Sequence, residues 1–207
     1  AGNGVVILGS TGEGLNLDEE EKKEIVRFTS ALELEIPIMV GIGGFHQKGT
    51  LTWLDFLETQ KNIDSYLLVT PLYTKPGYYG QYHWFETLLD QSSRPCMLYN
   101  VPGRTGVAMN HQAVKDLSGH SQFWAIKEAS GSVEEFKKYK EEAPKQQVFS
   151  GDDALTPDFA PCGASGLVSV AANVWPKATK RFVERCLTGE LSAADRELWT
   201  TASKSLF

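Results

Sequence analysis

Apolar residues along the chain follow two alternating patterns. Short runs rich in β-branched and aromatic residues read as seven strands: Val5–Leu8, Ile36–Val40, Ser65–Val69, Cys96–Tyr99, Phe123–Ile126, Gln147–Phe149 and Gly166–Val170. The first six start roughly 20 to 30 residues apart, the length of one strand plus one crossover helix. Between them, apolar residues recur at helical spacing. The stretch Asp18–Leu32 opens on Asp18-Glu19-Glu20-Glu21, a run of acids that suits a helix N-terminus, and then sets Ile25, Phe28 and Leu32 on one face. Thr50–Lys61 does the same with Leu51, Leu54 and Leu57, and Ser132–Glu142 with Val133, Phe136 and Tyr139. A last helix is predicted over Ala193–Leu206.

Strands that are apolar throughout and alternate with helices indicate a parallel sheet covered by those helices. An open doubly wound sheet and a (β/α) barrel both fit. A closed barrel needs eight strands and roughly 250 residues, whereas 207 residues supply seven. The chain is therefore expected to be a stretch of a longer protein. No Gly/Ser/Pro-rich linker divides it, so it reads as one domain. The 42% hydrophobic content fills a sizeable core, and acids outnumber bases by six, with no basic stripe for nucleic acid. The apolar runs are far too short to span a membrane. Three widely spaced cysteines, Cys96, Cys162 and Cys186, imply no complete disulfide framework and fit a reducing, cytoplasmic compartment.

In either architecture ligands bind beyond the carboxyl ends of the strands, so the residues after each apolar run are the informative ones. These are Gly9-Ser10-Thr11-Gly12-Glu13-Gly14, Thr70-Pro71-Leu72-Tyr73, Tyr99-Asn100-Val101-Pro102-Gly103-Arg104, Lys127-Glu128-Ala129-Ser130-Gly131 and Ser150-Gly151-Asp152-Asp153. Lys127 ends an apolar strand. Burial without a paired carboxylate lowers a lysine pKa and leaves a neutral amine able to attack a carbonyl. The residues alone equally allow a structural pairing of Lys127 with Glu128. Tyr99 ends the neighbouring strand and can relay protons with Ser10, Thr11 or Tyr73, or it can serve only as an amphipathic plug with a satisfied hydroxyl. The Ser10–Thr11 turn can offer backbone N–H groups to a carboxylate. Arg104, expected in a loop, offers a fork for a second carboxylate, although alone it reads more simply as a surface ion pair.

Other groups read as structural. His46, His83, His111 and His120 have no metal-ligand spacing, and neither metal nor cofactor is expected. Asp152-Asp153 reads as a helix cap rather than a metal site. The cluster Tyr78, Tyr79, Tyr82, Trp84 and Phe85 packs either on the core or against another subunit.

The five stretches after the strands resemble, in order and spacing, the dihydrodipicolinate synthase/N-acetylneuraminate lyase family of class I aldolases, and the similarity runs through essentially the whole chain. The resemblance implies a (β/α)8 TIM barrel. Here it would lack the first strand and helix and most of the C-terminal helical region, with residues 1–190 in the barrel and 191–207 beginning that region. An open barrel of this kind is expected to expose strand edges and apolar helix faces. The resemblance makes Lys127 the Schiff-base lysine for pyruvate, Tyr99 the proton shuttle, and Ser10 and Tyr73 the rest of the relay. Thr11 with Ser10 would hold the pyruvate carboxylate, and Gly151 and Val168 would add backbone groups. The tyrosine matched by Tyr73 reaches into a neighbouring subunit's site in this family, which implies a homo-oligomer, a dimer or dimer of dimers.

Within the family, Val101-Pro102-Gly103-Arg104-Thr105-Gly106 resembles the synthase branch, where the arginine binds the carboxylate of L-aspartate 4-semialdehyde. Ser10 is more frequent among lyases, but a hydroxyl serves either enzyme, whereas a second carboxylate needs a cation. The implied activity is condensation of pyruvate with the semialdehyde in lysine and diaminopimelate biosynthesis. The alternatives are a pyruvate-releasing sialic or sugar-acid lyase and a non-catalytic carboxylate-binding barrel. Glu19, Lys22 and Leu72 stand where lysine-inhibited synthases carry histidines and a tyrosine, so weak or absent feedback by lysine is expected.

Overall fold

The computed structural model describes residues 3–206. Six strands form one parallel sheet in sequential order: β1 Val5–Ile7, β2 Ile38–Ile42, β3 Ser65–Val69, β4 Cys96–Asn100, β5 Phe123–Glu128 and β6 Gln147–Ser150. The helices, in chain order, are α1 Glu19–Ala31, α2 Gln47–Glu58, α3 Tyr78–Gln91, α4 Pro102–Thr105, α5 His111–Leu117, α6 Val133–Glu142, α7 Thr156–Phe159, α8 Pro176–Thr188 and α9 Ala193–Ser203. Sequential parallel order with a helix after each strand is the curl of a (β/α) barrel wall rather than the reversing order of a doubly wound sheet. Among the described residues, no helix is long and apolar enough to cross a membrane.

Local chemistry explains several element starts. Asp18 and Glu21 form a reciprocal capping box at the start of α1, each side chain accepting from the other's N–H at 2.9 Å. Asn110 and Ser132 cap α5 and α6 through their side chains. The second strand begins two residues later than the apolar run, because Pro37 precedes it and uses its carbonyl to accept from Val5 N at 2.9 Å.

Two apolar layers result. The outer layer packs helices on the sheet through Val40, Leu68, Leu98, Ile126 and Val148 against residues such as Leu54, Phe85 and Phe136. The inner layer holds Met39, Leu67, Met97, Tyr99 and Ala125, with Trp124 and Phe149 beside them. At the C-terminal side Phe182 stacks on Trp199 with ring centroids 4.0 Å apart, and Trp199 Nε1 donates to the Asp153 carbonyl at 2.9 Å.

Two expectations are corrected, and a third is resolved in part. The seventh run, Gly166–Val170, makes a single parallel bridge, Ser150 with Leu167, and is not a strand. Its backbone is held instead by the Asp153 carboxylate, which accepts from Val170 N at 2.9 Å and from Ser169 Oγ. In α1 the buried positions are Val26 and Thr29, while Phe28 and Leu32 are exposed, so the apolar spacing marked the wrong face. The aromatic cluster divides: Trp84 and Phe85 are buried in the outer layer, and Tyr79 is exposed.

Candidate active site

The side chains of β4 and β5 are placed by a local irregularity. Cys96 pairs with Phe123, yet Met97 pairs with Ala125, so Trp124 is an extra residue on β5. Such a bulge resets the alternation of faces. Beyond it Tyr99 pairs with Lys127 and both belong to the inner side, while the next pair, Asn100 with Glu128, belongs to the outer side.

Lys127 Nζ lies 4.1 Å from the centroid of the Tyr99 ring. No carboxylate of the described residues lies within 4.0 Å of it. Burial lowers its pKa from the usual lysine value to about 8; Asp153 works against this and Arg104 adds to it. At pH 7 roughly one such amine in ten is then uncharged, against roughly one in several thousand for an ordinary lysine. A structural ion pair with Glu128 is excluded. Glu128 points to the opposite face, where its carboxylate accepts from Asn100 Nδ2 at 2.7 Å and from Ser130 N at 2.6 Å.

Tyr99 is buried, and burial raises its phenol pKa while Arg104 opposes the shift. Its hydroxyl bonds to no protein group among the described residues. Its carbonyl accepts from Thr70 Oγ1 at 3.2 Å, which ties the end of β3 to β4. Gly151 follows β6 and leaves the space that Lys127 uses. A Cβ there would stand 2.9 Å from Lys127 Cε and 2.8 Å from Ala129 Cβ. The N–H groups of Gly151 and Val168 are already committed, to the carbonyls of Glu128 and Ser150 at 2.7 and 2.8 Å. Only their carbonyls remain to face a ligand.

The remaining candidates stand on the rim. Leu8, in the left-handed region at φ 54°, turns the chain after β1, and Gly41 permits the approach, since a Cβ there would lie 2.7 Å from the Leu8 carbonyl. The turn is closed by Gly14 N donating to the Gly9 carbonyl at 3.2 Å. Among the described residues, the N–H groups of Ser10, Thr11 and Gly12 donate to no other group. Arg104 is not in a loop: it sits in the single turn of α4, exposed, with no acidic partner among the described residues. Tyr73, at φ 63°, is 87% exposed on the rim of the sheet.

All eight candidates, Lys127, Tyr99, Ser10, Tyr73, Thr11, Arg104, Gly151 and Val168, line one groove of about 2030 Å³. That exceeds the few hundred to ~1,000 Å³ of an ordinary small-molecule pocket. The groove follows the whole inner sheet face, so its size does not define the ligand.

Asn100, Glu128 and Asp153 had no site role assigned from sequence. Asp152 accepts from Ala154 N at 2.8 Å and caps a turn, whereas Asp153 is buried and orders the Val168 segment. His83, His111 and His120 pair with Glu86, Glu135 and Asp90, and no metal-binding group of three or more His, Cys, Asp or Glu exists among the described residues.

Comparison with known proteins shows the family and the fold. The model of the Dihydrodipicolinate synthetase family matches residues 1–203. A 4-hydroxy-tetrahydrodipicolinate synthase of Francisella tularensis subsp. novicida is 48% identical over 204 residues, 99% of this chain and 69% of that protein. The corresponding protein of Wolbachia pipientis from Culex pipiens is 49% identical over 205 residues, again 99% and 69%. The crystal structure of a dihydrodipicolinate synthase from Bacillus anthracis superposes with a TM-score of 0.91 at 32% identity, covering 99% of this chain and 72% of that one. One from Aquifex aeolicus gives 0.89 at 26%, covering 99% and 70%. With the curled parallel sheet, the groove along its inner face and these matches together, the chain belongs to the dihydrodipicolinate synthetase family.

Proposed function

We propose that the chain condenses pyruvate with L-aspartate 4-semialdehyde through a lysine Schiff base to give 4-hydroxy-tetrahydrodipicolinate, the activity for which its relatives are named. The observation that carries this reading is Lys127: an interior amine with a lowered pKa, over a phenol ring and free of a carboxylate partner.

The uncharged Nζ attacks the ketone carbon of pyruvate, and the carbinolamine loses water to form the iminium. The iminium withdraws electrons, so a C3 proton leaves and an enamine forms. The enamine carbon then attacks the aldehyde, whose oxygen takes up a proton. The amine of the semialdehyde moiety then displaces Nζ from the iminium carbon, closing the ring and freeing the lysine. Tyr99 moves these protons, with Ser10 and the Tyr73 of a neighbouring copy completing the relay to solvent. Free N–H groups of the Ser10–Thr11 turn receive the pyruvate carboxylate. Arg104 receives that of the semialdehyde, and the Gly151 and Val168 carbonyls border the bound keto acid. The Schiff base itself is the electron sink, so neither metal nor cofactor is required.

The 87% exposure of Tyr73 supports a homo-oligomer, a dimer or dimer of dimers, in which this side chain enters a partner's site. Residues 1–190 act as the barrel and 191–207 as the start of a helical region, in a cytoplasmic protein with weak or absent lysine feedback. Borohydride reduction with pyruvate, followed by mass mapping, is expected to leave a pyruvyl adduct on Lys127. A folded chain that forms none is a carboxylate-binding barrel instead. Turnover with the semialdehyde separates the synthase from a sugar-acid lyase.

A further inference from the structure

The outer face of β4 and β5 carries a polar pair that the chemistry above does not use. Asn100 and Glu128 are each one residue beyond the reacting pair, are in register with each other, and are fully buried. Every polar atom of the two side chains has a partner. Glu128 accepts from Asn100 Nδ2 at 2.7 Å and from Ser130 N at 2.6 Å, and Asn100 Oδ1 accepts from Met109 N at 2.8 Å. Burial raises the Glu128 pKa, so the carboxylate is held there at a cost. An apolar pair of similar volume would fill this space without that cost, so gross stability is a poor reason for the arrangement.

Register is a better reason. The β4–β5 ladder is irregular at its start, where Trp124 is inserted. A slip of one residue at this bulge would turn Lys127 toward the apolar outer layer and Glu128 into the groove. Ala125 and Ile126 are both buried, one in each apolar layer, so these two positions do not by themselves choose between the two frames. The hydrogen bond from Asn100 to Glu128 forms in only one of them.

We propose that Asn100 and Glu128 are positioning residues whose hydrogen bond selects the β4–β5 register that places Lys127 over Tyr99. The inference deepens the functional reading and rests on it for the identity of the reacting amine. The pair also anchors the segment that leaves each strand: Ser130 after β5, and after β4 Met109, whose carbonyl in turn accepts from the Tyr139 hydroxyl at 2.6 Å. The charged groups facing Lys127 are Asp153 and Arg104, and neither belongs to the pair.

The test uses the full chain with Glu128→Gln, Asn100→Asp, the double exchange of both, and the apolar pair Asn100→Leu/Glu128→Leu. The exchange restores a bond with donor and acceptor swapped. Two quantities are read alongside thermal unfolding: the rate of borohydride trapping with pyruvate, and the pH midpoint of Lys127 labelling by an amine-reactive reagent. Displacement of a reacting group by about 1 Å costs on the order of 10²-fold, so each single variant is expected to slow trapping by up to that factor. Its labelling midpoint should move up from about 8 toward an ordinary lysine. The double exchange should recover both, and the apolar pair should fold while trapping slowly. Single variants or an apolar pair with parental trapping and midpoint would overturn the proposal, as would a folded exchange that recovers neither. A parent that forms no adduct, with midpoints that still shift in the variants, would refute the aldolase reading and leave the register lock standing.

Discussion

Lys127 and Tyr99 lie on adjacent strands with their side chains largely removed from water. Ser10, Thr11, Tyr73 and Arg104 lie on turns and on the single turn of α4 with theirs exposed. The difference separates two tasks. An amine becomes reactive at neutral pH only where water is kept from its charged form, so that group needs the sheet around it. A carboxylate arriving from solvent must be met by donors that are themselves reachable, so those groups belong on the rim. The strands therefore set reactivity, and the rim sets what is recognised.

Replacing Lys127 with Ala is the strongest way to break the comparison: adduct formation and turnover should vanish while the rim still binds carboxylates, measured by trapping and by ligand-shifted melting. Tyr99→Phe keeps the ring beneath the amine and removes only the relay. It should lower kcat by about 10²- to 10⁴-fold with the Lys127 labelling midpoint little changed. Arg104→Ala tests the other half. Loss of a charge-assisted contact of about 1.5–3 kcal/mol should raise KM for the semialdehyde by roughly 10- to 100-fold and leave KM for pyruvate nearly unchanged.

The same variant sharpens the boundary between the halves. The Arg104 cation favours the uncharged amine, so its removal should shift the Lys127 titration to higher pH. In the parent, trapping should rise about tenfold per pH unit below about 8 and level off above it, because only the deprotonated amine attacks. A flat profile between pH 6 and 9 would break the link between burial and reactivity. The smallest effect is expected from Gly151→Ala. Crowding of Lys127 and Ala129 should cost about 1–3 kcal/mol of stability and slow trapping modestly, read from a melting curve and the adduct rate.

Much of this division was legible before the fold was known. Lys127 and Tyr99 stand at the ends of apolar runs, where a strand of limited length must deliver them to a carboxyl-end rim. The capping acids before α1 announced its start through local chemistry alone. Phe28 and Leu32 were misread because helical spacing identifies a face but not what lies opposite it. Gly166–Val170 was misread because an apolar run has strand propensity whether or not a partner is available, and here only Leu167 bridges to β6 while the buried Asp153 carboxylate takes up the Val170 N–H at its end.

Residue order and local preference determined the alternation of strands and helices, the rim on which the chemistry gathers, and the likeness to a family of Schiff-base enzymes, since each depends on neighbours within a few positions. Which way Lys127 points was a different matter. One inserted residue at Trp124 sets it, and strict alternation from that tryptophan would have put the amine outside. Its lowered proton affinity and its separation from Glu128 likewise exist only once two strands are paired in a particular frame. Pairing is a long-range event whose side-chain period of two turns a single-residue shift into an exchange of faces.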